Sequence, residues 1–251
     1  MTSIGAVQTS APASAALVGY WKLDETAGTT AADSSGNNHN GELKDGPAWD
    51  AGGVLDGAIG LDGLNDRIHV PYDVDLTYTG GDLTLSTWVY VNPGETGGWL
   101  ISKPWHGSGQ YNYGIYLTGG ENMAVSFRLA NAALPAVQPS PPEPPVPDYR
   151  RSVTLSTSSS TLIQGSWHHV AAAVSSSGSV DLYLDGQQEI VSGLAVIQAD
   201  AYDELLVGAR RPPRSTGPDQ YFDGTVDDLQ IHDWYLSADQ LKALIDQAPV
   251  M

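Results

Sequence analysis

QYFDGTVDDLQIHDWYLSADQLKAL, residues Gln220 to Leu244, is the stretch on which the reading of the fold turns. Phe222, Val226, Leu229 and Ile231 are separated by polar residues, the pattern of a half-buried strand, and Asp223-Gly224 supplies turn chemistry at its start. A short helix is predicted behind it. Ser237 stands as the N-cap, Gln240 completes a capping box, and Leu236 with Leu241 has the spacing of a hydrophobic staple. Leu241, Leu244 and Ile245 then give that helix one apolar face.

No helical pattern of comparable strength precedes Ser237. The 251 residues are 41% hydrophobic and include 28 Gly and 16 Pro, with apolar runs that are short and bounded by turns. That is the composition of a strand-and-loop protein, and the length suits one large sandwich core. Strands are predicted at Leu17 to Leu23, Ala58 to Leu61, Arg67 to Val70, Leu83 to Val91, Met123 to Leu129, Arg151 to Ser156, Ser166 to Ser175, Val180 to Leu184 and Leu205 to Gly208. In Leu83 to Val91, Leu85, Val89 and Val91 share one face while Trp88 and Tyr90 share the other, which marks a central strand. The core is the expected place for Trp88.

The same C-terminal stretch, as FDGTVDDLQIHDWYLS, resembles the closing signature of laminin-G-like domains. GYWKLDETAGTTAADSSGNNHNG, AIGLDGLNDRIHVP, LTLSTWVYV, GSWHHVAAAV and SVDLYLDG extend the resemblance from about Ala16 to Ile245. It implies a concanavalin A-like fold: all-β, a two-sheet antiparallel jelly-roll sandwich, with one short C-terminal helix packed on its edge. The expected organisation is a flexible linker at 1–16, a laminin-G-like domain at 17–246 and a tail at 247–251. Leu134 to Asp148, LPAVQPSPPEPPVPD, excludes helix and central strand and is expected to project as a polyproline-like insertion, removable without loss of the fold.

Twenty-nine acidic against eleven basic residues give a formal charge of −18, which repels nucleic acid and anionic membrane surfaces. No apolar run approaches the roughly 20 residues of a membrane span. The first sixteen residues lack the basic and apolar regions of an intact signal peptide and read as an Ala/Ser/Thr linker, so the domain is expected to be attached to others in a longer chain. With no cysteine, disulfides and zinc-thiolate sites are impossible.

In the loop after the first strand, DSSGNNHNG packs Asp33, Asn37, Asn38 and Asn40 around two glycines, either as turn chemistry or as a hard-cation site. The resemblance implies the latter, because many laminin-G-like modules hold calcium between this loop and the Asp-Asp strand near the C-terminus. The expected ligands of one structural Ca²⁺ are Asp33, Asn38, Asn40, Gly41 and either Asp227 or Asp228. Asp227 aligns with Leu229 and Ile231 and is expected to point inward.

Gly97 to Leu117, GGWLISKPWHGSGQYNYGIYL, crowds aromatics among glycines and prolines, which predicts a loop that holds some of them at the surface. Trp105, His106 and Tyr111 are the candidates for stacking on sugar rings. Arg128, Arg151, Arg210 and Arg211 are candidates for bidentate bonds to acidic sugars, with the ARRPPR loop facing the aromatics. Adjacent His168 and His169 fall on opposite strand faces and are expected to pack and hydrogen-bond rather than share a metal.

Glucanases of this architecture need a run near Glu-x-Asp-x-x-Glu on one strand face, and none is present. The nearest approach is Asp181 with Asp185. Gln230-Ile231-His232 matches one tripeptide of alginate lyases without its companion strands. The reading is a non-catalytic, secreted or cell-surface carbohydrate-binding module. A protein-protein adhesion module is the alternative, and a polysaccharide lyase or glycoside hydrolase with an unrecognised site comes third.

Overall fold

A computed structural model describes residues 16–105, 110–120, 122–130, 152–157, 162–193, 203–211 and 219–247. Its strands, in chain order, are β1 (Leu17–Trp21), β2 (Thr30–Ala31), β3 (Gly41–Lys44), β4 (Ala48–Asp50), β5 (Ala58–Asp62), β6 (Arg67–Val70), β7 (Leu83–Val91), β8 (Gly97–Trp105) and β9 (Gln110–Gly119). They continue as β10 (Asn122–Ala130), β11 (Ser152–Ser156), β12 (Leu162–Ile163), β13 (Trp167–Val174), β14 (Ser179–Leu184), β15 (Gln187–Gly193), β16 (Leu205–Val207) and β17 (Asp223–His232), before helix α1 (Ala238–Ile245). One sheet runs β15-β14-β13-β7-β17-β5-β4 with β1 also on β17; the other runs β11-β10-β9-β8-β16-β6-β3-β2 with β12 on β10. Every pairing within these sheets is antiparallel, as in a jelly-roll sandwich.

The sheets bury one core between them. Leu85, Val89, Val170 and Leu182 of the first sheet meet Ile68, Ile101, Ile115, Val125 and Phe127 of the second, all nearly inaccessible. Each such side chain contributes about 1.5–3 kcal/mol on burial. Trp88 is buried as expected but faces away from this core, edge-on to His169 at 5.3 Å.

α1 begins where Ser237 and Gln240 close the capping box. It packs on the outer face of the first sheet rather than on its edge: Leu236 and Leu241 lie with Ala171, Ala173 and Tyr183 of β13 and β14. Small alanines let the helix approach the strands closely.

β17 is the hinge of the architecture. Its first half pairs with β5, Asp223 to Val226, and its second with β1, Leu229 to His232. Against β7, Asp227 pairs with Trp88 while Gln230 pairs with Ser86, so β17 carries one extra residue, and Asp228 takes a positive φ of 52°. The bulge explains why the apolar residues of this strand change parity between Val226 and Leu229. It also corrects the expected inward direction of Asp227, which stands opposite outward-facing Trp88.

Candidate functional site

Within 97–117, where several aromatics are expected on or beside a loop, the described residues form two paired strands, β8 and β9. Gly98 and Gly114 serve close packing. A Cβ on Gly98 would lie 2.6 Å from the Phe222 Cα, and one on Gly114 would lie 2.7 Å from the Trp99 indole. Gly114 thereby leaves a bed in which Trp99 lies flat. The indole stacks on Tyr111 at 4.4 Å and on Tyr116 at 4.7 Å, each at 22°.

Tyr111 reaches this stack through a bulge. Lys103 pairs with Tyr113 but Pro104 pairs with Tyr111, so Asn112 is the extra residue. Its amide is held by the Tyr78 N–H and carbonyl at 2.7 and 2.8 Å. Tyr113, Ile115 and Leu117 then face the core, while Tyr111 joins Tyr116 on the outer face. Tyr111 is 1% exposed, which corrects the expectation of an exposed stacking residue. Tyr116 is the half-buried, accessible end of the stack.

Arg128 stands opposite Gly114 in register, its guanidinium 5.4 Å from the Tyr111 ring and 5.9 Å from the Tyr116 ring. Arg210 also acts on Tyr111: burial raises the phenol's pKa, while the Arg210 and Arg128 charges pull it back. Arg210 is bound to Asp219 at 2.8 Å, and Arg211 pairs with Glu204 at 2.5 Å and so turns to another acidic group. On the other side, Trp99 Nε1 donates to Gln220 Oε1 at 3.0 Å. Beside the Trp99 and Tyr116 rings lies a groove of about 290 Å³ walled by Thr96, Gly97, Trp99, Tyr116, Thr118 and Gln220, which the arginines do not line. Tyr111, Arg128 and Arg210 therefore do come together, around an aromatic pair, Trp99 and Tyr116, that the sequence reading passed over. Their signal was cross-strand pairing, Trp99 opposite Tyr116, which requires the hairpin register. His106, Arg151, the Pro-rich insertion, most of the linker and the Trp105 side chain lie outside the described residues.

The acidic residues assemble differently from the expected metal set. Asp33 Oδ1 accepts from the Tyr20 and Ser35 N–H groups and Oδ2 from the Ser35 hydroxyl and His39 N–H, at 2.8 to 2.9 Å. Its lone pairs are thus taken by the protein, and its pKa lies below the usual carboxylate range because these bonds outweigh desolvation. Asn40 Oδ1 accepts from the Asp33 N–H, Asn38 takes a φ of 64°, and Gly41 enters β3 where any Cβ would meet Ile68 at 2.4 Å. Asp33 braces the loop to β1, with Asn40 holding the Asp33 N–H, and a carboxylate so engaged is a poor calcium ligand.

Asp227 meets the 53–57 turn, which also binds Asp24, while Asp228 meets Tyr20 and Gln230. At the gap between β5 and β1, Asp227 Oδ2 accepts from the Val54 and Leu55 N–H groups at 2.7 and 2.9 Å, and Asp24 Oδ1 from the Gly57 N–H at 2.8 Å. A Cβ on Gly53 would sit 2.0 Å from the Gly57 carbonyl oxygen, so the turn fits only with glycine. Asp227 is fully buried, and its Oδ1 has no partner. Burial, reinforced by Asp228 and Asp24, pushes its pKa up to about 7 against the two amide bonds. Asp228 is raised by burial too, although Tyr20 and Gln230 donate to it at 2.5 and 2.9 Å. Asp24 also borders a cleft of about 350 Å³ lined by Glu25, Trp49, Asp50 and Asp56.

The remaining polar candidates are committed to structure. His168 Nδ1 lies 2.8 Å from Asp185 Oδ2, and Tyr235 donates to Asp181, so the two carboxylates of the glucanase comparison serve separate partners. His232 Nε2 contacts Gln230 Oε1 at 3.0 Å and packs edge-on against Trp234 at 4.4 Å.

Comparison with known proteins agrees with this architecture. A family model described as Laminin_G_3, concanavalin A-like lectin/glucanases superfamily, matches residues 62–242. The binding domain of Paraclostridial Mosquitocidal Protein 1 is similar with a TM-score of 0.67 and 16% identity, covering 92% of this chain and 52% of that one. The botulinum neurotoxin serotype D binding domain gives 0.62 and 11%, with the same coverages. The chain thus spans about half the length of these toxin domains. Domain 4 of AbnA, a GH43 extracellular arabinanase from Geobacillus stearothermophilus solved in complex with arabinotriose, gives 0.60 and 18%, covering 92% of this chain and 98% of that one. No curated protein matches at the sequence level.

Proposed function

The chain belongs to the Laminin_G_3 family of the concanavalin A-like lectin/glucanases superfamily, and from that premise we propose that it is a non-catalytic carbohydrate-binding module of an extracellular, multi-domain protein. One observation carries the reading: the Tyr111–Trp99–Tyr116 stack, open at Tyr116 onto a groove and crossed by Arg128. A sugar ring laid on Tyr116 extends the stack by another apolar face, and the preassembled rings lose little freedom on binding. Gln220 and the guanidinium of Arg128 are the polar groups beside that position, and Arg128 favours a uronate or sulfate. The AbnA domain, whose structure holds an arabinotriose, supports a glycan ligand by fold alone. Among the described residues no helix is long and apolar enough to cross a membrane.

Calcium is part of the proposal. Its ligands are Asp227 and Asp24, with Asp228 beside them, in place of the Asp33 loop. The buried, partnerless Asp227 Oδ1, whose pKa Asp228 and Asp24 help to raise, fits a hard divalent cation. When bound, the ion supplies positive charge that favours ionised Asp227 and Asp228; Asp227 itself pins the 53–57 turn into the gap between β5 and β1.

The test is a glycan array followed by titration of neutral and acidic polysaccharides at low and moderate salt. Tyr116→Ala is expected to weaken binding at least tenfold with an unchanged melting curve, and Arg128→Ala to remove the salt-sensitive part for an acidic glycan. Wild-type protein that binds no glycan yet retains a protein from the native secretome would replace this reading with adhesion.

A further inference from the structure

His39 ends the loop that Asp33 braces, and its surroundings fix its tautomer. The ring Nδ1 lies 2.9 Å from the Val18 carbonyl oxygen, which can only accept, so Nδ1 carries the proton and Nε2 presents a lone pair. The backbone is held as well: its N–H donates to Asp33, and its carbonyl accepts from Trp21 Nε1 at 2.8 Å. The residue as a whole is 5% exposed.

Two carboxylates stand before it. Asp73 caps the 3₁₀ turn Val74–Leu76 with Oδ1, which accepts from the Asp75 N–H at 3.0 Å, and this leaves Oδ2 facing His39 Nε2 at 3.7 Å. Asp75 completes a trio whose ligand atoms all lie within 4.8 Å of one another. A separation of 3.7 Å is too long for a hydrogen bond. It is close to the roughly 3.4 Å between two ligands of a tetrahedral ion bound at about 2.1 Å. The carbonyl-anchored Nδ1 is the outer contact that orients metal-binding histidines. The neighbouring cation Lys103 is already engaged, with Nζ donating to the Asp203 carbonyl at 2.6 Å and lying 5.1 Å above the Tyr72 ring.

We propose that His39, Asp73 and Asp75 bind a first-row divalent metal ion, zinc in the first instance, with water completing its shell. One imidazole with two carboxylates selects zinc over calcium, whose ligands are oxygens. This site is separate in its residues from the calcium proposal and from the aromatic groove. Its consequence is mechanical: the ion ties the loop after β1 to the turn before β7.

Zinc is titrated calorimetrically into the intact protein with calcium in excess, beside Asp73→Asn and Asp75→Asn. Asparagine at 73 keeps the oxygen that caps the turn, and Asp75 is exposed, so both variants should fold and melt like the wild type without zinc. The expected result is one zinc per chain, weakened at least tenfold in each variant, with a zinc-dependent shift of the His39 Nε2 resonance in ¹⁵N NMR. Absence of stoichiometric binding overturns the proposal. So does equal affinity in the variants, or a zinc shift confined to another histidine.

Discussion

Asp227 makes stability depend on pH and calcium, and Asp228, also raised by burial, acts in the same direction. In the folded protein Asp227 keeps its proton up to about pH 7, whereas in the unfolded chain it ionises near the ordinary value of about 3.9. Between these values the native state binds more protons, so without calcium this group's contribution falls as pH rises. From about pH 5 to about pH 8 the loss integrates to about 3 kcal/mol, or about 5–10 °C in Tm for a chain of this size. His169 and His232 act with the opposite sign. Burial depresses both pKa values to about 4, so their contribution is lost as pH falls from about 6.5. The clean measurement is therefore a difference, wild type against Asp227→Asn, by urea unfolding across this range with EGTA or with excess Ca²⁺. Asparagine keeps an oxygen for the Val54 and Leu55 amides and carries no charge. In EGTA the variant should gain on the wild type by about 3 kcal/mol as pH rises, and calcium should reverse that order at neutral pH by binding only the ionised wild type. Parallel curves in EGTA would refute the buried-carboxylate argument, and a wild-type Tm unmoved by calcium would refute the ion.

Ser237→Ala should cost about 1 kcal/mol in urea unfolding, because the hydroxyl accepts the Gln240 N–H within a complete capping box. Gly53→Ala should cost more than about 3 kcal/mol or prevent soluble expression, since its Cβ would fall 2.0 Å from a backbone oxygen; a melting curve like the wild type's would show that the turn can move. Trp99→Ala should lower stability by about 3–5 kcal/mol as well as abolish glycan binding, whereas Tyr116→Ala should touch binding alone, so paired melting and titration separate the ring that builds the stack from the one that offers it.

Much of the sandwich was written locally in the chain. Leu83–Val91 was legible because nine mostly β-prone residues run without glycine or proline, Leu85, Val89 and Val91 on one face, and α1 because Ser237, Gln240, Leu236 and Leu241 state its start within a few positions. Asp185 and Gly186, at φ of 51° and 74°, form the hairpin turn that their identities require. The candidate site was not local. Bulges at Asp228, Leu100 and Asn112 each insert one residue and invert which side chains share a face. A period-two reading therefore turned Asp227 inward and could not bring Tyr111 beside Tyr116. Cross-strand register then decided that Trp99 lies over Gly114 and Arg128 over Tyr111. The carboxylate partners were set likewise by topology: β17 trades β5 for β1 at Asp227, and the opening admits a turn from 173 residues away in sequence. Sequence determined the elements because propensity, caps and turns act over a few residues; the tertiary structure decided the site because strand register and bulges are settled only when the sheets pair.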